Sequence, residues 1–426
     1  MINALIQQTM NHSKYYLHIL LLSLFICGIN SNVSGQEIAP LTKDSLFFYE
    51  YLDQVTTNNL EFLAEKCNIN IAEAEALRTH ISPDPSLDLE AEKEKFTVGI
   101  GYSLELGNKR NARINLANSK VDIQKLMLSY YFQDLRSEAA MLFLNTILQQ
   151  DLLQIQLDSY TYMQKLCESD SLRYLAGEIS ENNVRQTRLE TATLRNEIYE
   201  QEAALISAQI KMSQLRGELD TERITPIGKL DISYKTEKLN ELIQYGYTYR
   251  SDLLIAIKNK EVALHELKLA RAERKPDIGI SIGFEREWRK FIPKGESLKG
   301  GISIPLPFSN INKGSINVAK SKISQTDLNE RSVQLQIEAE IKQAWYNLEA
   351  QLKKKEQFNT GLLVEAKNIL EGMVYKYKRG ETNILDVLIA RRTYNEIQIA
   401  HIKTKYEYIT ALIDLERSCG IWNIQL

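Results

Sequence analysis

Between Lys95 and Gly107 the chain reads KFTVGIGYSLELG, in which Phe96, Val98, Ile100, Tyr102 and Leu104 alternate with Thr97, Gly99, Gly101, Ser103 and Glu105. The pattern returns after Pro276, where Ile278, Ile280, Ile282 and Phe284 alternate with Gly279, Ser281, Gly283 and Glu285. In GGISIPLP, just beyond, Ile302, Ile304 and Leu306 share one face. A period of two predicts strands with one apolar and one small or polar face. Strand pairs are therefore expected over 86–105 and 276–306, with EWRKFIPKGES as a polar loop inside the second.

Elsewhere apolar residues recur three and four apart, the spacing of an amphipathic helix. A first helix is expected over 44–80, capped by Asp44 and stopped by SPDPS. The phrases INLANSKV (from Ile114) and INVAKSKI (from Ile316) lie near the starts of two very long helices, 109–175 and 313–378. At about 1.5 Å per residue each spans roughly 100 Å. Each ends at a glycine turn, 176–179 and 379–382, and a further helix follows, 180–217 and 383–418. Another helix, opening at Leu239 or Arg250, runs to Ala272. Along the second long helix Ile316, Ala319, Ile323, Ile337, Ile341, Ala344, Leu348 and Leu352 form a narrow stripe. Such a stripe packs helices side by side and is not expected to build a thick core.

The chain is thus an internal duplication, which takes precedence over any local motif. A first repeat covers 36–217 and a second covers 250–420, with 218–249 between them and 421–426 as a tail. Tyr174, Gly177, Glu178, Val184 and Arg188 recur as Tyr377, Gly380, Glu381, Val387 and Arg391. The interval between copies is 191 residues at Pro85 and Pro276, 202 at Ile114 and Ile316, and 203 at Tyr174 and Tyr377.

Composition narrows the function. With 52 Lys and Arg against 55 Asp and Glu in 426 residues, no basic excess points to nucleic acid. Lys14, the apolar run YYLHILLLSLFICGI and VSGQ read as a secretory signal over 1–35, with Met10 a second possible start. Cys27 lacks the small preceding residue that lipidation favours. Cys67, Cys167 and Cys419 are far apart and odd in number, so no disulfide framework is expected. No other segment is apolar and long enough for a helical membrane span. The five histidines are scattered, and neither metal-ligand spacing nor a phosphate loop or nucleophile motif is present. Neither an enzyme nor a cofactor is expected.

Four strands cannot close a barrel with a lumen, and in lipid each bare backbone group costs several kcal/mol. If these strands span a membrane, several copies must close one barrel together. The other reading is a small soluble sheet packed on helices, in a periplasmic coiled-coil adaptor or scaffold.

The repeat, the stretch RSDLLIAIKNKEVALHELKLARAERKPDIGISIGF from Arg250, ISIPLPFSNINKGSINVAKSKI from Ile302 and YKRGETNILDVLIARRTYNE from Tyr377 resemble TolC-family outer-membrane efflux proteins. Where the family usually has Pro in its Arg-x-Asp-Leu element, this chain has Ser251. The resemblance implies a mainly α protomer with a membrane β part. Three such chains would form a twelve-stranded outer-membrane β-barrel continued by a periplasmic α-barrel. It further implies a homotrimer in outer-membrane lipid, whose helical tips dock a periplasmic adaptor (membrane fusion protein) joined to an inner-membrane pump of the RND type.

Gly177 and Gly380 are read as helix C-terminal caps, where glycine accepts a left-handed backbone. By resemblance their neighbours Tyr174, Ala176, Glu178, Arg379, Glu381 and Thr382 face the adaptor. Ser180 and Asn383 are good N-caps, and Asn183 and Asp386 sit where a capping box closes. By resemblance Asp386 also faces the closed aperture, where three copies form an acidic ring. Asn183 in the first repeat, and Ile389 one turn past Asp386, replace acids common in the family and make that ring less negative. Arg188 and Arg391 are expected on solvated helix faces, the alternative being a latch between helices.

Overall fold

A computed structural model describes residues 45–218, 224–228, 237–287, 295–306 and 312–424. The expected signal segment over 1–35, Cys27, Asp44 and part of the inter-repeat segment lie outside the described residues. The described chain forms one compact unit.

The first repeat holds β1 (Ser45–Leu46), α1 (Phe48–Asn58), α2 (Leu60–Thr79), β2 (Ser86–Ala91), β3 (Lys95–Leu104), α3 (Lys109–Leu175) and α4 (Glu181–Leu215). A short strand β4 (Thr225–Pro226) pairs in parallel with β1. The segment between the repeats ends in α5 (Leu239–Tyr249), and the second repeat holds α6 (Ser251–Ala272), β5 (Ile278–Glu287) and β6 (Gly295–Ser303). After these come α7 (Lys313–Gln357), a kinked turn (Phe358–Leu362), α8 (Leu363–Lys378) and α9 (Ile384–Cys419).

Three predicted elements are corrected. The single helix expected over 44–80 is two. Asn59 breaks it with extended backbone (φ −61°, ψ 118°), accepts from the Phe62 N–H at 2.8 Å and donates to the Leu215 carbonyl at 2.8 Å. The same break recurs 191 residues on at Arg250 (φ −70°, ψ 118°), so helices open at both Leu239 and Ser251. Arg250 is pinned there by Asp252 at 2.6 Å, Glu340 at 2.5 Å and the Ser418 carbonyl at 3.2 Å. Ser251 takes the first helical position, where proline is well tolerated, and its hydroxyl reaches Ser129 at 3.1 Å. The last strand lies earlier than its apolar alternation suggested. β6 begins at Gly295, inside the expected loop, and ends at Ser303 because Pro305 cannot extend a ladder. The third correction is the second long helix, interrupted at Phe358–Leu362, where Gly361 has φ 99°.

The four long strands form one antiparallel sheet in the order β2-β3-β5-β6, with the central β3–β5 pair joining the two repeats. Register sorts the side chains by face. Leu87, Ile100 and Ile282 align in one row, and Leu89, Val98, Phe284 and Leu298 in the next. On the opposite face Ser86, Gly101, Ser281 and Gly301 align, followed by Asp88, Gly99, Gly283 and Lys299. The apolar face is uncovered, with Leu87, Ile100, Ile282, Leu298 and Ile302 all exposed.

The narrow stripes understate the core. Where α1 and α5 wedge against α3, α7 and α9, Tyr51, Phe143, Leu144, Leu242, Ile337, Ile341, Ile409 and Leu412 are almost wholly buried. A second, smaller cluster lies near the glycine turns: Met163, Leu166, Leu194, Tyr377, Ile384 and Val387. Since α3 starts just after the sheet and ends at a glycine turn, sheet and turn lie at opposite ends of a helix roughly 100 Å long.

Candidate functional site at the helical tips

The two turns are built alike. Gly177 and Gly380 have φ 79° and 74°. In the first, the Gly177 N–H donates to the Tyr174 carbonyl at 2.9 Å and the Glu178 N–H to that of Arg173 at 2.9 Å. In the second, Gly380 donates to Tyr377 at 3.0 Å and Glu381 to Lys376 at 2.9 Å. Both are Schellman caps, which satisfy carbonyls that a helix end leaves free. A Cβ on either glycine meets nothing within 4 Å, so backbone conformation and not space selects the residue. Tyr174, Ala176, Glu178, Arg379 and Glu381 are exposed around the turns and Thr382 is half-buried. Glu178 pairs with Arg173 at 3.1 Å, and Glu381 with Arg379 at 2.9 Å.

The expected reciprocal capping boxes do not form. Asn383 caps α9 by accepting from the Asp386 N–H at 3.3 Å, but the Asp386 carboxylate takes the Thr382 hydroxyl. In the first repeat the Ser180 hydroxyl donates to the Asn183 side chain at 3.2 Å. Asp386 is half-buried and Ile389 exposed, and they share an open groove with Ala366, Ile369 and Met373.

Equivalent residues of the two repeats have opposite environments. Tyr174 is 42% exposed, whereas Tyr377 is 3% exposed. The Tyr377 hydroxyl donates to Asp170 at 2.9 Å, joining the end of α8 to α3. Asp170 is fully buried, and its second oxygen has no hydrogen-bond partner among the described residues. The Thr187 hydroxyl is close by, but donates to the Asn183 and Val184 carbonyls. Burial pushes the Asp170 carboxyl above its ordinary range, opposed by the Tyr377 bond and the Arg173 charge. Burial and the Asp170 carboxylate push the Tyr377 phenol up. The Arg173 guanidinium lies 5.1 Å from the Tyr377 ring.

Arg188 is exposed, as expected, but Arg391 is not: it is 8% exposed. Its Nε donates to Ser159 at 3.3 Å, and its guanidinium lies 4.6 Å from the Tyr162 ring and 5.8 Å from that of Tyr394. Asn395 donates to the same Ser159 hydroxyl at 2.6 Å. The cation is therefore a contact between α9 and α3, not a solvated charge, and burial lowers its pKa. The sequence pointed to neither Asp170 nor Ser159, and to Tyr377 only as the counterpart of Tyr174. The repeated tyrosine was the visible signal, but which copy turns inward depends on packing between hairpins.

An incomplete sheet with a bare apolar face, long paired helices and two polar turns at their far end are the parts that the resemblance to an outer-membrane channel protomer implies. Residues 248–421 match the family described as outer membrane efflux protein. Over 388 residues the chain is 22% identical to the cobalt-zinc-cadmium resistance protein CzcC of Cupriavidus metallidurans, covering 89% of this chain and 90% of that one. Its fold is that of CusC, described for transmembrane channel formation (TM-score 0.72, 16% identity, 88% and 92% of the two chains). The Campylobacter jejuni CmeC outer membrane channel (0.73, 13%, 88% and 85%) and the open Neisseria gonorrhoeae MtrE outer membrane channel (0.71, 16%, 88% and 89%) share it. The second repeat thus matches the outer membrane efflux protein family, and the chain as a whole is similar in fold to these outer-membrane channels.

Proposed function

We propose that the chain is the outer-membrane exit channel of a tripartite efflux system, a passive homotrimeric duct from the periplasm to the outside. The sheet carries this reading. Its β2 and β6 edges have no further neighbour among the described residues, and one face is largely apolar, with Leu87, Ile100, Ile282, Leu298 and Ile302 exposed. Three copies closing a twelve-stranded barrel would pair every edge and give the apolar face to lipid. A periplasmic scaffold leaves the exposed row of Leu87, Ile100 and Ile282 without a purpose.

In this reading the 1–35 segment directs export. The exposed residues around Gly177 and Gly380 dock a periplasmic adaptor coupled to an RND-type inner-membrane pump, which supplies the energy. The Tyr377–Asp170 and Arg391–Ser159 contacts hold the tip shut, and three Asp386 carboxylates stand near the aperture. Opening is a shift of population toward tips in which these contacts are broken. CzcC is named for cobalt, zinc and cadmium, which makes divalent transition-metal cations the first cargo to test. Fractionation of a Gram-negative host with gentle detergent extraction tests the assembly. The expected outcome is a trimer in the outer membrane, and a water-soluble periplasmic monomer would refute it.

A further inference from the structure

The sheet meets the helices at four junctions, and charge is distributed unevenly about them. Over 78–86, 104–113, 271–278 and 303–313 the chain has eight Lys and Arg against four Asp and Glu. Over 90–95 and 286–296, where each strand pair reverses, six stand against five. Two of the eight are committed, Lys109 to Asp277 at 2.7 Å and Arg113 to Glu105 at 2.6 Å. The other six, Arg78, Arg110, Arg271, Arg274, Lys275 and Lys313, are exposed and form no ion pair among the described residues. Close contacts bring the junctions to one level. Arg110 donates to the His80 carbonyl just past α2. Asn312, beside Lys313, donates to the Ala270 carbonyl at 2.9 Å and to Glu273 at 3.2 Å. A Cβ on Gly107, between β3 and α3, would come within 3.0 Å of the Ala272 carbonyl and the Lys275 side chain.

The apolar face of the sheet stops at the same level. Tyr102, Leu104, Ile304 and Leu306 are exposed at its helix-side end. Lys275, Arg110 and Lys313 lie three, six and seven residues from Ile278, Leu104 and Leu306. Tyr102 shares a row with Ile280 and Ile302, and an aromatic ring at the edge of an apolar band marks the headgroup level of a membrane. We propose that the four junctions form a basic belt that binds the headgroups of anionic phospholipids in the periplasmic leaflet of the outer membrane. The orientation rests on the reading above, in which the sheet spans that membrane and the helices lie on its periplasmic side. Long stems then run along the apolar boundary while their charged ends reach lipid phosphate. Arginine, four of the six, offers a phosphate two parallel N–H donors. The apolar boundary favours a lipid over a soluble anion, because a free phosphate would make no use of it.

The test uses the full-length protein immobilised in an uncharged detergent, with fluorescent phosphatidylglycerol or phosphatidylcholine as the probe. The parent should bind the anionic lipid about tenfold more tightly or better, since each cation near an anionic surface contributes about fivefold. Arg271→Gln with Arg274→Gln and Lys275→Gln should lower that preference about fivefold or more. Lys165→Gln with Lys376→Gln and Lys378→Gln removes three exposed cations near the glycine turns and should leave the preference as in the parent. Salt at about 1 M, where the Debye length is about 3 Å, should abolish the preference in the unsubstituted protein. Equal binding of both lipids by the parent would overturn the belt and leave the channel reading standing, whereas a protein that binds neither lipid would contradict both. Displacement of the bound lipid by inorganic phosphate at comparable concentration would overturn the choice of ligand. An equal loss in the two triple variants would overturn its location.

Discussion

Tyr377 and Asp170 are 207 residues apart in sequence and joined by a 2.9 Å hydrogen bond between the two tip hairpins of one protomer. The donor is nearly buried and the acceptor wholly so, and one carboxylate oxygen already lacks a partner. Removing the hydroxyl would leave the carboxylate buried without its donor, a loss of about 1–3 kcal/mol. Tyr377→Phe should therefore shift the closed-to-open ratio of the tip by roughly 5- to 150-fold toward open, seen as longer open dwell times. Asp170→Asn should stay closed, because an amide oxygen still accepts from Tyr377 and no charge is buried.

The same carboxylate sets a pH dependence. Its folded pKa is raised above the unfolded value, so the folded tip binds the proton more readily. That contribution is fully present below the unfolded pKa and is lost as pH rises through the folded one. The nearby Arg173 charge opposes the rise without reversing it. Acidification from neutrality into the carboxyl range should lengthen closed times, and Asp170→Asn should flatten the profile. A profile unchanged in Asp170→Asn would assign the dependence to other groups.

Arg391 and Arg188 are equivalent by repeat and opposite in environment. Arg391→Ala removes a buried hydrogen bond and a cation–π contact, together about 1–3 kcal/mol of tip stability. Arg188→Ala should lie within about 0.5 kcal/mol of the parent. Arg391→Lys should not restore the loss, since an ammonium offers neither the planar face nor the Nε donor. Protease susceptibility near the turns reads all three.

Gly177→Ala and Gly380→Ala should have equal small effects on tip stability. Both face open space, and a left-handed backbone costs a Cβ-bearing residue about 1–2 kcal/mol. A much larger effect at one site on binding of a purified periplasmic adaptor would identify the hairpin that carries more of the docking surface.

Much of this architecture is visible in the sequence, because period two, period 3.6 and duplication are local or repetitive signals. The sheet's two faces could be written from the alternation around Ile100 and Ile282 before their partners were known. The breaks at Asn59 and Arg250 were hidden, since neither residue is a strong helix breaker and both are stabilised by distant groups, the Leu215 carbonyl and Glu340. The turn at Gly361 left one sequence trace, the change of interval from 202 to 203. The inward rotation of Tyr377 and Arg391 left none. Their first-repeat counterparts have the same identities, and only packing between hairpins distinguishes them.

The most direct test of the central claim is single-channel recording in planar bilayers from the detergent-purified full-length protein. A trimer that inserts and conducts, with Tyr377→Phe giving more open time or larger conductance than the parent, is the predicted result. A purified protein that inserts no conductance in either form would contradict the channel reading, and conductance identical in both forms would contradict the tip as its gate.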